Sequence, residues 1–121
     1  MQFRLAVLFC LIASNAIAYA QNSAEPLWID VRTAEEFASG HLPGARNIDF
    51  DRIGERIAAV TQDKDQPIVL YCKSGRRSGF AKQTLEQLGY RNVLNAGGVV
   101  DVLRRTGLEP ALGADCVSLE C

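Results

Sequence analysis

Histidine, methionine and tryptophan are scarce in this chain of 121 residues, at one each. The only histidine, His41, could meet Cys116 and Cys121 at a metal. That set still lacks the fourth ligand of a structural zinc site, so no metal is expected. A basic surplus is also missing: 13 Lys and Arg face 14 Asp and Glu, for a net charge of −1. Nucleic acid as a partner would call for the opposite balance or a basic patch. No Cys-x-x-Cys pair is present, which argues against thiol–disulfide exchange. Gly97-Gly98 lacks the third glycine of a dinucleotide fingerprint, and no cofactor is expected. No internal repeat stands out, and no apolar run approaches the ~20 residues of a membrane-spanning helix.

What the chain does have begins at its N-terminus. Arg4 precedes an apolar run from Leu5 to Ala13, followed by Ala16-Ile17-Ala18 and Ala18-Tyr19-Ala20, both of small-x-small type. This reads as a secretory signal peptide over residues 1–20, cut after Ala20 or alternatively after Ala18. An uncleaved anchor is the competing reading. A lipoprotein is disfavoured because Cys10 sits inside the apolar run. Loss of Arg4 leaves 12 basic against 14 acidic side chains, a net charge of −2. The mature chain suits one small domain with one core. Residues 21–26 form a lead, 27–105 the domain and 106–121 a tail. Three cysteines remain after cleavage: Cys72, Cys116 and Cys121. Cys116 and Cys121 are close enough in sequence to pair, which leaves Cys72 as a thiol to flag in an exported protein.

Strand and helix signals alternate along the domain. Leu27 to Val31 reads as a strand, and Thr33 with Glu36 as a capping box opening a helix that ends near Ser39. Arg46 to Ile48 is a brief strand. Ile53, Ile57 and Val60 recur at helical spacing. Ile68 to Tyr71 is a continuous apolar run, as in a strand covered on both faces. A helix follows the Cys72 loop, with Phe80, Thr84, Leu85 and Leu88 on one face and Gly89 as its stop. Val93-Leu94 is a last strand, Gly97-Gly98 a turn, and Val99 to Arg105 a last helix. The expected fold class is α/β, a central parallel sheet with helices on both faces. In such sheets ligands bind beyond the carboxyl ends of the strands, where Cys72 falls. Trp28 is expected in the core.

The segment Cys72-Lys73-Ser74-Gly75-Arg76-Arg77-Ser78 concentrates the chemistry. A cysteine attacks as thiolate, so its ordinary pKa of roughly 8.5 has to fall. The N-terminus of the following helix and the cations Lys73, Arg76 and Arg77 both act in that direction. Ser74 and Gly75 are small enough for a tight loop that turns its N–H groups inward as an anion cradle. A buried structural cysteine is the plain alternative. The cationic loop favours a nucleophile acting on an anionic sulfur or phosphorus compound.

Three segments along the chain carry a family resemblance. Asp30-Val31-Arg32 with Glu35-Glu36-Phe37 and Gly40-His41-Leu42-Pro43-Gly44-Ala45 is the first. Cys72 to Arg77 is the second, and Gly89-Tyr90, Val93-Leu94 and Gly97-Gly98 the third. Together they resemble the rhodanese homology family over about Leu27 to Leu103. The exported single-domain layout, with Asn95-Ala96-Gly97-Gly98 near its end, is most similar to its periplasmic phage-shock-protein-E type. The resemblance implies a periplasmic thiosulfate sulfurtransferase with a persulfide on Cys72 and a thiol or cyanide as acceptor; a monomer is expected. It implies that Lys73, Ser74, Gly75, Arg76, Arg77 and Ser78 hold the substrate and the sulfur anion. It also implies structural roles for Asp30, Arg32 and His41 near the site. A mercaptopyruvate-selective member would carry an uncharged loop. Many members have a tryptophan shortly after the paired glycines, where this chain has Val99-Val100-Asp101-Val102.

Other readings compete. Phosphatases and arsenate reductases of the dual-specificity type use a cysteine, five residues and an arginine; here Ser78 stands in that arginine's place. A rhodanese-fold sulfur carrier or binding module with little turnover is the non-enzymatic alternative. Cys116 or Cys121 could also exchange sulfur with Cys72 rather than pair with each other.

Overall fold

The computed structural model describes residues 25–113. The expected signal peptide, most of the lead, and Cys116 and Cys121 lie outside the described residues. Four strands and four helices alternate: β1 (Leu27–Asp30), α1 (Ala34–Ala38), β2 (Arg46–Asn47), α2 (Ile53–Val60), β3 (Ile68–Cys72), α3 (Arg76–Gln87), β4 (Val93–Gly98) and α4 (Val99–Thr106). The strands form one parallel sheet in the order β2-β1-β3-β4. From β1 the chain moves outward to β2, then returns to the far side of β1 for β3. In open parallel sheets such a reversal is where ligands bind, beyond the carboxyl ends of the strands, here β1 and β3.

Strand alternation sorts the core into two layers. Ile29, Ile68, Leu70 and Cys72 pack with Ile53 and Ile57 of α2 and Ala81 and Leu85 of α3. On the opposite face Tyr71 packs with Phe37 of α1 and Val102 of α4, with Trp28 partly buried beside them. Every residue of β3 is buried, as its unbroken apolar run requires of a strand covered on both sides. Each such fully buried aliphatic side chain contributes on the order of 1.5–3 kcal/mol relative to exposure.

The capping box is present: the Thr33 hydroxyl accepts from the Glu36 N–H, and the Glu36 carboxylate accepts from the Thr33 N–H. Two local expectations need correction. In α3 the buried face is Ser78, Ala81 and Leu85, whereas Phe80 and Leu88 are exposed. Ser78 takes the inward position because it faces Cys72, and Phe80 instead lies beside the Arg76 guanidinium, 6.0 Å from its ring centre. The last strand also runs on to Gly98, so Gly97-Gly98 belongs to its end and α4 starts directly after it.

Candidate active site

Cys72 ends β3, its side chain on the α2–α3 face and 1% exposed. The chain needs a sharp change of direction to enter α3, and Gly75 supplies it at φ +95°, a conformation that side-chain-bearing residues rarely adopt. The turn aims the Gly75 N–H at the Cys72 Sγ, 2.9 Å away, and the Ser78 Oγ lies 3.5 Å from the same sulfur. Burial pushes the Cys72 thiol up. Hydrogen bonds open to its anion, from the Ser78 hydroxyl and N–H and from the Ser74 and Gly75 N–H groups, outweigh that and leave it below the ordinary cysteine value. A buried thiol in apolar surroundings alone would show the opposite direction.

The first turn of α3 breaks a local electrostatic rule. Helix N-termini favour acidic residues, and α1, α2 and α4 each place at least one there. The α3 start has none and carries Arg76 and Arg77 instead. Like charge stacked on the positive end of a helix opposes folding locally, and an anion at the Cys72 sulfur or above it relieves the conflict.

Glu36 of α1 offsets part of that charge. Arg77 Nη1 and Nη2 donate to the two Glu36 carboxylate oxygens at 2.7 and 2.9 Å, a bidentate pair that joins helices from opposite faces of the sheet across its carboxyl edge. The hydrogen bonds from Arg77 are the main reason the Glu36 carboxyl falls to about 2; burial opposes it. The Arg77 guanidinium is raised chiefly by Glu36 and also senses the charge of Cys72. Of the three expected loop cations, Lys73 and Arg76 are therefore the exposed ones, and Arg77 is tied into the wall.

Asp30, Arg32 and His41 assemble on the other face. The Asp30 carboxylate accepts from the Arg32 N–H, Nε and Nη2 at 2.9, 2.9 and 2.6 Å, and Arg32 Nη2 also donates to the Gly40 carbonyl. Tyr71, directly behind Cys72, accepts from the Leu42 N–H through its hydroxyl. Burial and the neighbouring Asp30 charge hold that phenol well above its ordinary range. His41 is buried, stacked on Phe37 at 3.5 Å, and its Nδ1 lies 2.7 Å from the Phe37 carbonyl, so Nδ1 carries the hydrogen and donates. Strand alternation puts Asp30 and Tyr71 on the face opposite Cys72, and Arg32 and His41 pack with them through Asp30 and Phe37, which fits a bracing role rather than proton transfer at sulfur.

Three residues, Glu36, Gly98 and Asn95, have roles at the site that the sequence alone does not assign. Glu36 read only as a cap. Gly98 read as a turn, but a Cβ there would lie 2.5 Å from the Lys73 carbonyl oxygen, so the loop can pack against β4 only over a bare glycine. Asn95 donates through Nδ2 to the Gly75 carbonyl at 2.9 Å and accepts at Oδ1 from the Ser78 hydroxyl and the Gly97 N–H at 2.7 and 3.0 Å. A polar, strand-averse residue directly before Ala96-Gly97-Gly98 was the available signal.

The model of the rhodanese-like domain matches residues 15–104. The chain is 45% identical over 75 residues to the thiosulfate sulfurtransferase PspE of Escherichia coli (strain K12), covering 62% of this chain and 72% of that protein. It is 37% identical over 87 residues to a sulfurtransferase of Allochromatium vinosum, covering 72% and 79% respectively. Among solved structures, an E. coli rhodanese with anions superposes with a TM-score of 0.66 at 40% identity, over 73% of this chain and 99% of that one. Family match, sequence relatives and the parallel sheet agree: the chain belongs to the rhodanese-like domain family.

Proposed function

We propose that this protein is a thiosulfate sulfurtransferase whose nucleophile is Cys72. The observation that carries the reading is the Cys72 sulfur held by the Gly75 N–H at the mouth of a cationic loop. The names of the E. coli and A. vinosum relatives support the same class of reaction. The Cys72 thiolate attacks the outer sulfur of thiosulfate. The sulfur–sulfur bond of the donor breaks, and sulfite leaves with the bonding pair. Cys72 then carries a persulfide, whose terminal sulfur occupies the cradle of N–H groups from Lys73 to Ser78. A thiolate or cyanide attacks that terminal sulfur and leaves with it, returning Cys72 as thiolate. Two half-reactions through one covalent intermediate give ping-pong kinetics. Thiocyanate formation from thiosulfate and cyanide tests the reading. Its absence with a reduced, folded protein would favour a sulfur carrier or binding module.

The loop cations divide the work. Lys73 and Arg76 meet the dianionic donor, and Arg77 orders the loop through Glu36 while lending its charge to the sulfur. Arg76→Ala is expected to raise KM for thiosulfate roughly two- to fivefold with little change in kcat, the scale of an exposed charge contact. Arg77→Ala strips the partner from Glu36 beside the site. It is expected to lower kcat/KM by about ten- to a hundredfold, the scale of a lost charge-assisted pair. Steady-state kinetics on both variants check the division; equal effects of the two would refute it.

The protein acts in the periplasm as a monomer after removal of residues 1–20. The arrangement of Arg4, the apolar run and the alanine-rich sites supports export. N-terminal sequencing of protein from that compartment should begin at Gln21, or at Tyr19 for the alternative cut; an intact Met1 would contradict processing.

A further inference from the structure

The Asn95 amide has only one chemically consistent orientation. Its Nδ2 faces the Gly75 carbonyl, which can only accept, and its Oδ1 faces the Gly97 N–H, which can only donate. Oδ1 therefore has no hydrogen to offer Ser78. At 2.7 Å the Ser78 hydroxyl must donate to it. A serine hydroxyl has one hydrogen and two lone pairs. With that hydrogen on Asn95, a Ser78 lone pair remains for the Cys72 sulfur at 3.5 Å. The resting arrangement suits a neutral thiol, which donates to Ser78. A thiolate or persulfide anion needs the reverse, with the Ser78 hydrogen turned onto sulfur.

Resting on the reading of Cys72 as the sulfur-bearing nucleophile, we propose that Asn95 is a positioning residue that holds the Ser78 hydrogen while the sulfur is a neutral thiol and yields it when the sulfur becomes an anion. The thiol proton leaves to solvent as the Ser78 hydroxyl rotates. Asn95 Oδ1 keeps the Gly97 N–H throughout, so the rotation orphans no buried acceptor. Asn95 and the sulfur anion thus compete for one hydrogen. Asn95 sets how readily Cys72 ionises without carrying any charge itself. The charged groups around the sulfur are Arg77 of α3, Glu36 of α1 paired with it, Asp49 after β2, which acts on Arg77, and Lys73 and Arg76 of the loop. All remain in place when Asn95 is changed. The serine hydroxyl is among the groups that lower the Cys72 thiol, as a donor to the anion must be.

The test is the pH dependence of iodoacetamide alkylation at Cys72 in the mature chain, followed on the Cys72 peptide by mass so that Cys116 and Cys121 do not contribute. Asn95→Ala frees the Ser78 hydrogen and is expected to lower the alkylation midpoint by roughly half a unit to one unit. Ser78→Ala should raise it by a similar amount. In the Ser78→Ala background, Asn95→Ala should no longer lower it. If Asn95 merely braced the loop through Gly75, its loss would slacken the Gly75 N–H and raise the midpoint. A raised or unchanged midpoint in Asn95→Ala overturns the proposal. Should that variant fail to fold, Asn95→Asp keeps the size and strengthens the acceptor toward Ser78, while the donor it loses toward the Gly75 carbonyl is lost equally in both Ser78 backgrounds. It should raise the midpoint more with Ser78 present than in the Ser78→Ala background. An equal rise in both backgrounds is charge alone and also overturns it. The readout is acidity rather than turnover. A wild type that makes no thiocyanate beside an intact cycle would refute the sulfurtransferase reading and leave the hydrogen exchange standing.

Discussion

Cys72→Ser is expected to lose thiocyanate formation by about four orders of magnitude or more, the scale on which removal of a covalent nucleophile acts. The serine hydroxyl can occupy the same 1%-exposed position and accept from the Gly75 N–H. It cannot become an anion near neutral pH, and it offers no sulfur on which to carry sulfur. The fold should survive, because the replacement is nearly isosteric and its new oxygen finds a donor. A cost of about 1 kcal/mol, shifting the melting temperature by no more than about 4–8 °C, is the expected penalty. Retained turnover in a folded Cys72→Ser protein would remove this residue from the mechanism.

Asp30→Ala should show the reverse pattern, with a large loss of stability and a small loss of chemistry. Asp30 is fully buried and Arg32 nearly so, and the pair is held at 2.6 Å with further hydrogen bonds from the Arg32 Nε and N–H. Burial opposes the Arg32 charge, but the hydrogen bonds and charge of Asp30 outweigh it and hold the guanidinium above its ordinary value. Without the carboxylate that charge stays buried and uncompensated, which costs on the order of 3–5 kcal/mol. A domain of this size has only about 5–15 kcal/mol in total. The melting temperature should therefore fall by more than about 12 °C, measured by circular dichroism. Turnover per folded molecule at low temperature should stay within about threefold, since Asp30 faces away from the sulfur. An unchanged melting curve with lost turnover would place Asp30 in the chemistry instead.

The features legible in the sequence were those whose cause is local. The β3 run is apolar at every position because both faces are covered, and no distant contact is needed to see it. Thr33 and Glu36 cap α1 within one turn. The Cys72 loop packs its nucleophile, turn residue and cations into six consecutive positions. Hidden features were those that tertiary contacts create. Glu36 meets Arg77 across 41 positions, and Asn95 meets Ser78 across 17. Neither spacing follows from any helical or strand period. The inward face of α3 departs from its apolar pattern for a related reason. Phe80 is the larger apolar residue, but Ser78 is the one the sulfur needs, and site geometry overrode hydrophobicity. β4 extends past the Val93-Leu94 signal although Asn95, Gly97 and Gly98 disfavour strands. The neighbouring β3 ladder and the close approach of Lys73 over Gly98 keep them in the sheet.

The most direct test of sulfur transfer through Cys72 is the mass of the Cys72 peptide after the protein meets thiosulfate with no acceptor present. One added sulfur atom is expected on that peptide. Cyanide should remove it and yield one equivalent of thiocyanate. Turnover without any added sulfur on Cys72, or with the sulfur found on Cys116 or Cys121 instead, would contradict it.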